Sequence, residues 1–159
     1  MKSLAAAGAF LAFLVFVQGC GTLGSDAAGT SAVDVRTITH STLDDGSTRI
    51  VVSTDTAFDY GSVVLRPAVA EQLLVVAKPY LQNRLTVSGY TDNVGAAAYN
   101  LTLSRERARS IANALILHGA SAERVTVAGY GEDSPRASNE TEAGRQKNRR
   151  VELLFESTD

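Results

Sequence analysis

The stretch from Ala96 to His118, "AAAYNLTLSRERARSIANALILH", contains neither proline nor glycine and stops at Gly119. At 100° per residue, Leu101, Ala108, Ile111, Ala112 and Leu115 fall on one side of a helix, and a stripe that apolar has to be buried against another layer. Runs of alternating polarity lie on either side of it, "NRLTVSGY" and "ERVTVAGYG". In the first of these Leu85 and Val87 point inward, as period two requires of a strand with one buried face. A long one-sided helix between two such strands restricts the chain to helices stacked on a sheet. The shared "GY" endings are too short to constitute an internal repeat.

The remaining segments extend that scheme. "VDVRTITHST" and "STRIVVST" flank "LDDG", whose Asp-Gly pair is a hairpin signal. Of these two runs, Arg49–Thr54 is the better strand. In "FDYGSVVLRPAVAEQLLVVAKPYL", Pro67 suits the first turn of a helix. Ala70, Leu73, Leu74, Ala77 and Leu81 supply that helix with an apolar stripe. A polar stretch from Glu132 to Lys147 has room for at most a short helix near Thr141–Lys147. The last strand is "RRVELLFE", in which Val151, Leu153 and Phe155 alternate with Glu152 and Glu156. The predicted order is strand–helix–strand–helix–strand–strand, an α+β fold with helices packed on one mixed sheet.

Composition excludes several kinds of function. With 159 residues, 45% of them hydrophobic and 20% charged, the chain is an ordinary one-domain globular protein. Its formal charge is −2, without the basic footprint that nucleic-acid binding needs. Nine Lys/Arg and nine Asp/Glu balance between Leu101 and Asp159. Cys20 is the sole cysteine, so neither an intrachain disulfide nor a cysteine zinc site can form. The two histidines, His40 and His118, lie far apart and make no case for a metal hydrolase. His118, just before Gly119, suits a helix C-terminus, where a cation meets the dipole favourably. No cofactor or metal is implied.

The first residues, "MKSLAAAGAFLAFLVFVQGC", carry one charge, Lys2, then an apolar run from Leu4 to Val17. As a helix that run covers about 21 Å, short of the roughly 30 Å hydrocarbon core, which suits a secretory leader over residues 1–19. "VQGC" resembles the cleavage box of bacterial lipoproteins and implies an acylated N-terminus at Cys20. Gln18 departs from the small residue usual there. An ordinary signal peptide with an incidental cysteine is the alternative. Against it, the only cysteine falls where a lipobox requires one. Gly21 in place of aspartate implies, by the same resemblance, retention at the outer membrane. "GTLGSDAAGTSA" is small and polar and reads as a flexible linker, so residues 20–32 are tether and 33–159 domain, with its core at about 50–156.

Within the long helix, Asn100, Leu103 and Arg107 form a second stripe at spacing i, i+3, i+7, where side chains are neighbours. Asp92 lies in the turn that feeds this helix. An acid and a guanidinium at the two ends of a groove suit a zwitterion, whose ammonium goes to the carboxylate and whose carboxylate goes to the guanidinium fork. Alternatively, Asp92 caps the helix and Arg107 is a solvated surface cation.

The pieces "FDYGSVVLRP", "VSGYTDNVG", "YNLTLSRERA", "VTVAGYGEDSP" and "NRRVEL" together resemble the OmpA-like peptidoglycan-binding domain, over about Ile50 to Phe155. That family includes peptidoglycan-associated lipoproteins and flagellar stator proteins. The resemblance implies that Asp92 and Arg107 hold the diaminopimelate of the peptidoglycan stem. It adds Phe58, Asp59, Thr91, Asn100 and Leu103 to the pocket, and Arg150 from "NRR". Whether Arg149 or Arg150 meets the ligand stays open, and Tyr60 stands where the family tolerates several residue types. The implied protein is a non-enzymatic lipoprotein in the outer membrane, its domain facing the periplasm and tethering that membrane to the wall. One alternative is a signalling or assembly lipoprotein using the same domain to bind an envelope protein. Another is a wall enzyme built on Asp55 and Asp59, but four residues beside a strand fix no useful carboxylate separation.

Overall fold

The computed structural model describes residues 37–157. The leader at 1–19, Cys20 and the tether at 20–32 lie outside the described residues. The expected hairpin is formed by β1 (Ile38–Thr42) and β2 (Thr48–Ser53), in register Thr42 to Thr48. Gly46, at φ +79°, closes its turn. Next come a short helix α1 (Thr54–Ala57), α2 (Pro67–Ala77), β3 (Leu85–Tyr90) and α3 (Ala97–Leu117). The chain finishes with β4 (Val125–Gly129), α4 (Glu142–Asn148) and β5 (Arg150–Phe155).

The five strands make one mixed sheet in the order β1-β2-β5-β3-β4. β3 and β4 are parallel, and the other neighbours are antiparallel. A parallel pair needs a long crossover, which α3 supplies. The α+β layer order therefore stands, with β1 added at the sheet edge and α1 and α4 flanking the later site. Ile50, Val52, Leu85, Val87, Val151 and Leu153 form the sheet side of the core, and Val69, Leu73, Ala77, Ile111 and Leu115 form the helix side. No helix among the described residues is long and apolar enough to cross a membrane.

Two helix faces differ from expectation. On α2 the buried stripe is Val69, Leu73 and Ala77, while Ala70, Leu74 and Leu81 are half-buried. This helix is apolar on most sides, so packing rather than periodicity chose its angle. On α3, Leu101 is 43% exposed, and the small Ser104 is buried in the position facing the sheet. The cause is close backbone approach. A Cβ on Gly89 would lie 2.0 Å from the Ser104 carbonyl oxygen, and one on Gly129 would lie 2.5 Å from the Arg105 nitrogen. These two glycines are paired across β3 and β4. The "GY" endings thus seat a helix on two parallel strand ends, and Tyr90 and Tyr130 stack at 5.2 Å beyond them.

The end of α3 is as expected. Gly119 adopts φ +111°; its N–H donates to the Ile116 carbonyl (3.1 Å) and that of Ala120 to Leu115 (3.0 Å). This is the double hydrogen bond of a Schellman cap. Nothing among the described residues lies within 4 Å of a Cβ built there, so substitution probes backbone strain. Gly119→Val is expected to lower stability by about 1 kcal/mol or more, read as a reduced melting midpoint. An unchanged midpoint would remove the cap from the account.

Candidate functional site

A cavity of about 500 Å³ opens where the C-terminal end of β3 meets α1, α3 and α4. Thr91 and Asp92 reach it because they follow β3 directly. Asp92 Oδ1 accepts the Val94 N–H (3.0 Å), which folds the turn back on its own carboxylate. Asn100, on the first turns of α3, fixes this loop from the other side. Its Nδ2 donates to the carbonyls of Asp92 (3.4 Å) and Val94 (3.2 Å) and to Glu132 (3.1 Å). Asp92 does not cap α3, whose N-cap is Ala96 with no side-chain hydrogen bond.

Arg107 is not a solvated cation either, being 7% exposed. Its guanidinium carbon lies 5.2 Å from the centroid of the buried Phe58 ring. Nε donates to the Ser62 carbonyl (3.0 Å) and Nη1 reaches Thr54 Oγ1 (3.5 Å), while Nη2 has no partner among the described residues. Burial pulls its pKa below the ordinary arginine value, and the nearby Asp55 carboxylate partly restores it. A buried fork with unused donors is suited to an incoming carboxylate.

The expected residues Phe58, Asp59, Thr91, Asn100 and Leu103 also line the cavity. Asp59 is exposed and pairs with Arg66 at 2.6 Å. Thr91 Oγ1 is buried and lacks a hydrogen-bond partner among the described residues, a state that costs about 1–3 kcal/mol when nothing completes it.

Arg150 is elsewhere. It projects from the opposite sheet face, 3.9 Å from the Tyr90 ring centroid, and donates to Glu152 (2.6 Å), the Asn148 carbonyl and the Ser134 carbonyl. Arg149 lines the cavity instead. The junction between α4 and β5 carries this distinction: Arg149 is the C-cap of α4, one residue before the strand, whereas Arg150 is the first residue of β5 and shares the parity of Glu152.

Arg149 is also the hub that the sequence reading lacked. It forms two bonds to Asp55 (2.7 and 2.8 Å), one to Asp92 Oδ2 (2.7 Å) and one to Glu142 (2.6 Å). These bonds, that of Asp55 foremost, raise its pKa above the ordinary arginine value against the pull of desolvation. Asp55 comes from α1 and Glu142 from the first turn of α4, two short elements whose pattern carries little signal. Glu142 is held below the usual carboxylate range by its bonds to Arg149 and then Arg145. Because this folded value is depressed, its contribution to stability is present above the ordinary carboxylate value and fades as pH falls through the lowered one.

α4 is positioned by the fully buried Asn148. Its Oδ1 accepts the N–H groups of Arg136 (2.8 Å) and Ala137 (3.0 Å), and its Nδ2 donates to the Ala137 carbonyl and Asn139 Oδ1 (both 2.8 Å). The "N" of "NRR" therefore holds the loop, the first arginine braces the acid, and the second clamps the far face.

The half-open cavity thus sets an anchored acid at one strand end against a buried arginine on the facing helix. The chain belongs to the OmpA family, whose pattern matches residues 57–149. It is 32% identical over 146 residues to the peptidoglycan-associated lipoprotein of Pseudomonas putida, covering 85% of this chain and 87% of that one. It is 44% identical over 101 residues to "Probable lipoprotein YiaD" of Escherichia coli, covering 62% of this chain and 46% of that one. The chain spans about a third to a half of the length of several curated relatives it matches. The crystal structure of the peptidoglycan-associated lipoprotein from Burkholderia pseudomallei superposes with a TM-score of 0.52 at 29% identity, covering 62% of this chain and 85% of that one.

Proposed function

We propose that this chain is a non-enzymatic outer-membrane lipoprotein that binds peptidoglycan through the diaminopimelate of its stem peptide, and so tethers the membrane to the wall. The observation that carries the reading is the cavity holding a buried Arg107 fork with unused donors and the Asp92 carboxylate, of which Arg149 takes one oxygen. The free D-centre of diaminopimelate bears an ammonium and a carboxylate. Its carboxylate goes to Arg107 Nη1 and Nη2, and its ammonium to Asp92, alongside Arg149 rather than in place of it. The family relationship supports the wall as ligand, since relatives bear peptidoglycan in their names.

Removing one partner of a charge-assisted pair in a sheltered site costs very roughly 1.5–3 kcal/mol. Arg107→Ala and Asp92→Ala are therefore each expected to weaken sacculus binding about tenfold to hundredfold. Amidating the free stem carboxylate should weaken the wild type and leave Arg107→Ala nearly indifferent. If both respond alike to amidation in a sacculus pull-down, Arg107 does not hold that group. A catalytic wall protein would instead release soluble muropeptides from the same sacculi.

Anchoring rests on Cys20 and is tested apart from the pocket. Several acyl chains at about 0.8 kcal/mol per buried methylene hold a protein nearly permanently in a bilayer. Cys20→Ser is expected to leave the outer-membrane fraction under high salt. Its persistence there would sink the lipid anchor while leaving wall binding intact. Use of the same cavity by an envelope protein is the competing reading, and crosslinking in cells with identification of the attached species separates the two.

A further inference from the structure

The mouth of the cavity is lined by apolar side chains that nothing among the described residues covers. Tyr60 is fully exposed, Val94 is 61% and Tyr99 54% exposed, and all three border the cavity. Tyr60 is not on a loose loop. The Ser62 N–H donates to the Asp59 carbonyl (2.9 Å), closing a turn with Tyr60 and Gly61 at its centre, and Gly61 adopts the φ of +67° that such a turn needs. Arg107 donates to the Ser62 carbonyl and Ser110 to that of Val63, which fastens the turn to α3. A Cβ on Gly61 would lie 3.7 Å from the Tyr99 hydroxyl, so the two tyrosines share one rim. Rigidly displayed aromatic surface beside a cavity marks a contact site.

We propose that Tyr60, Tyr99 and Val94 form a carbohydrate subsite that stacks on a pyranose ring of the glycan strand. This rests on the stem-peptide reading of the cavity and extends it. Two residues and a lactyl ether separate diaminopimelate from the sugar. At about 3.5 Å per residue, this puts the ring on the order of 10 Å from the charged end of the pocket. The negative face of a tyrosine ring meets the C–H face of a pyranose favourably, and the exposed Asp59 beside Tyr60 is already paired with Arg66 at 2.6 Å.

The test compares, by calorimetry on the full chain in detergent, the free stem tripeptide with the same tripeptide carrying its disaccharide. Wild type is expected to bind the disaccharide form about fivefold to tenfold more tightly. The Tyr60→Ala/Tyr99→Ala double variant should bring this ratio near one, while Tyr60→Trp keeps it. Equal affinities in wild type, or an unchanged ratio in the double variant, overturn the subsite while the stem reading survives. An unchanged ratio together with loss of an in-cell protein crosslink assigns the rim to a protein and also overturns the subsite. If wild type binds neither ligand, the stem reading fails and the subsite falls with it.

Discussion

Gly89→Val is expected to destabilise the domain about as much as truncating a large core side chain. A Cβ at Gly89 would come 2.0 Å from the Ser104 carbonyl oxygen and 2.7 Å from its carbon, and both are main-chain atoms that cannot rotate away. Relief requires α3 to lift from β3, which uncovers Ala108, Ile111 and Leu115. Overpacking a dense site costs about 1–3 kcal/mol and more where backbone must move, so about 3 kcal/mol or more is expected here. At about 4 °C per kcal/mol for a domain of this size, the melting midpoint should drop by about 12 °C. Gly89→Ala tests the same contact with the smallest added group. A midpoint within a degree or two of wild type for both variants would mean that the helix is not seated on the strand.

The second large effect is expected from Arg149→Gln. Its guanidinium is the common partner of Asp55, Asp92 and Glu142, and its loss leaves three carboxylates facing one another. Stripping one partner from a fully buried pair costs about 3–5 kcal/mol. Arg149 retains 22% of its side-chain exposure and Glu142 is 66% exposed, so screening reduces the expected loss to about 2 kcal/mol. Stem binding should fall about hundredfold, because Asp92 loses its brace and the acids then repel the ligand carboxylate. Raising salt should recover part of the stability loss. Arg150→Gln serves as the contrast, since it lies on the far sheet face: sacculus affinity should survive at temperatures where the variant stays folded. Loss of binding by the Arg150 variant and retention by the Arg149 variant would reverse the assignment of the two arginines.

Much of this was legible in the residues because period and punctuation carried it. Val151, Leu153 and Phe155 alternate cleanly, Pro67 starts α2, and Gly119 ends α3 where the apolar stripe stops. The Asn100–Leu103–Arg107 stripe follows from helical spacing and lines the cavity. Other parts depended on tertiary contact. Four residues of α1 have no period to read, so Asp55 was visible only as one half of a weak carboxylate pair. Leu101 looked like core because its place on the wheel was right, but the helix overhangs the sheet there. Ser104 looked polar, yet its small size is what two strand glycines demand. The choice between Arg149 and Arg150 turns on where α4 ends and β5 begins, a boundary that the motif match alone does not locate.

The main-chain contact of Gly89 and Gly129 with α3 has a consequence for how this domain tolerates change. Asp92 sits three residues beyond one glycine, and Asn100 and Arg107 lie within four residues of Ser104. The two halves of the recognition site are thus spaced by peptide groups touching peptide groups. Volume changes deeper in the core, at Val69, Leu73 or Phe155, can raise or lower the melting point without altering that spacing. Thermal robustness and ligand selection become separately adjustable, so a library that repacks the far end of the core should yield hardier domains with unaltered preference for the stem peptide.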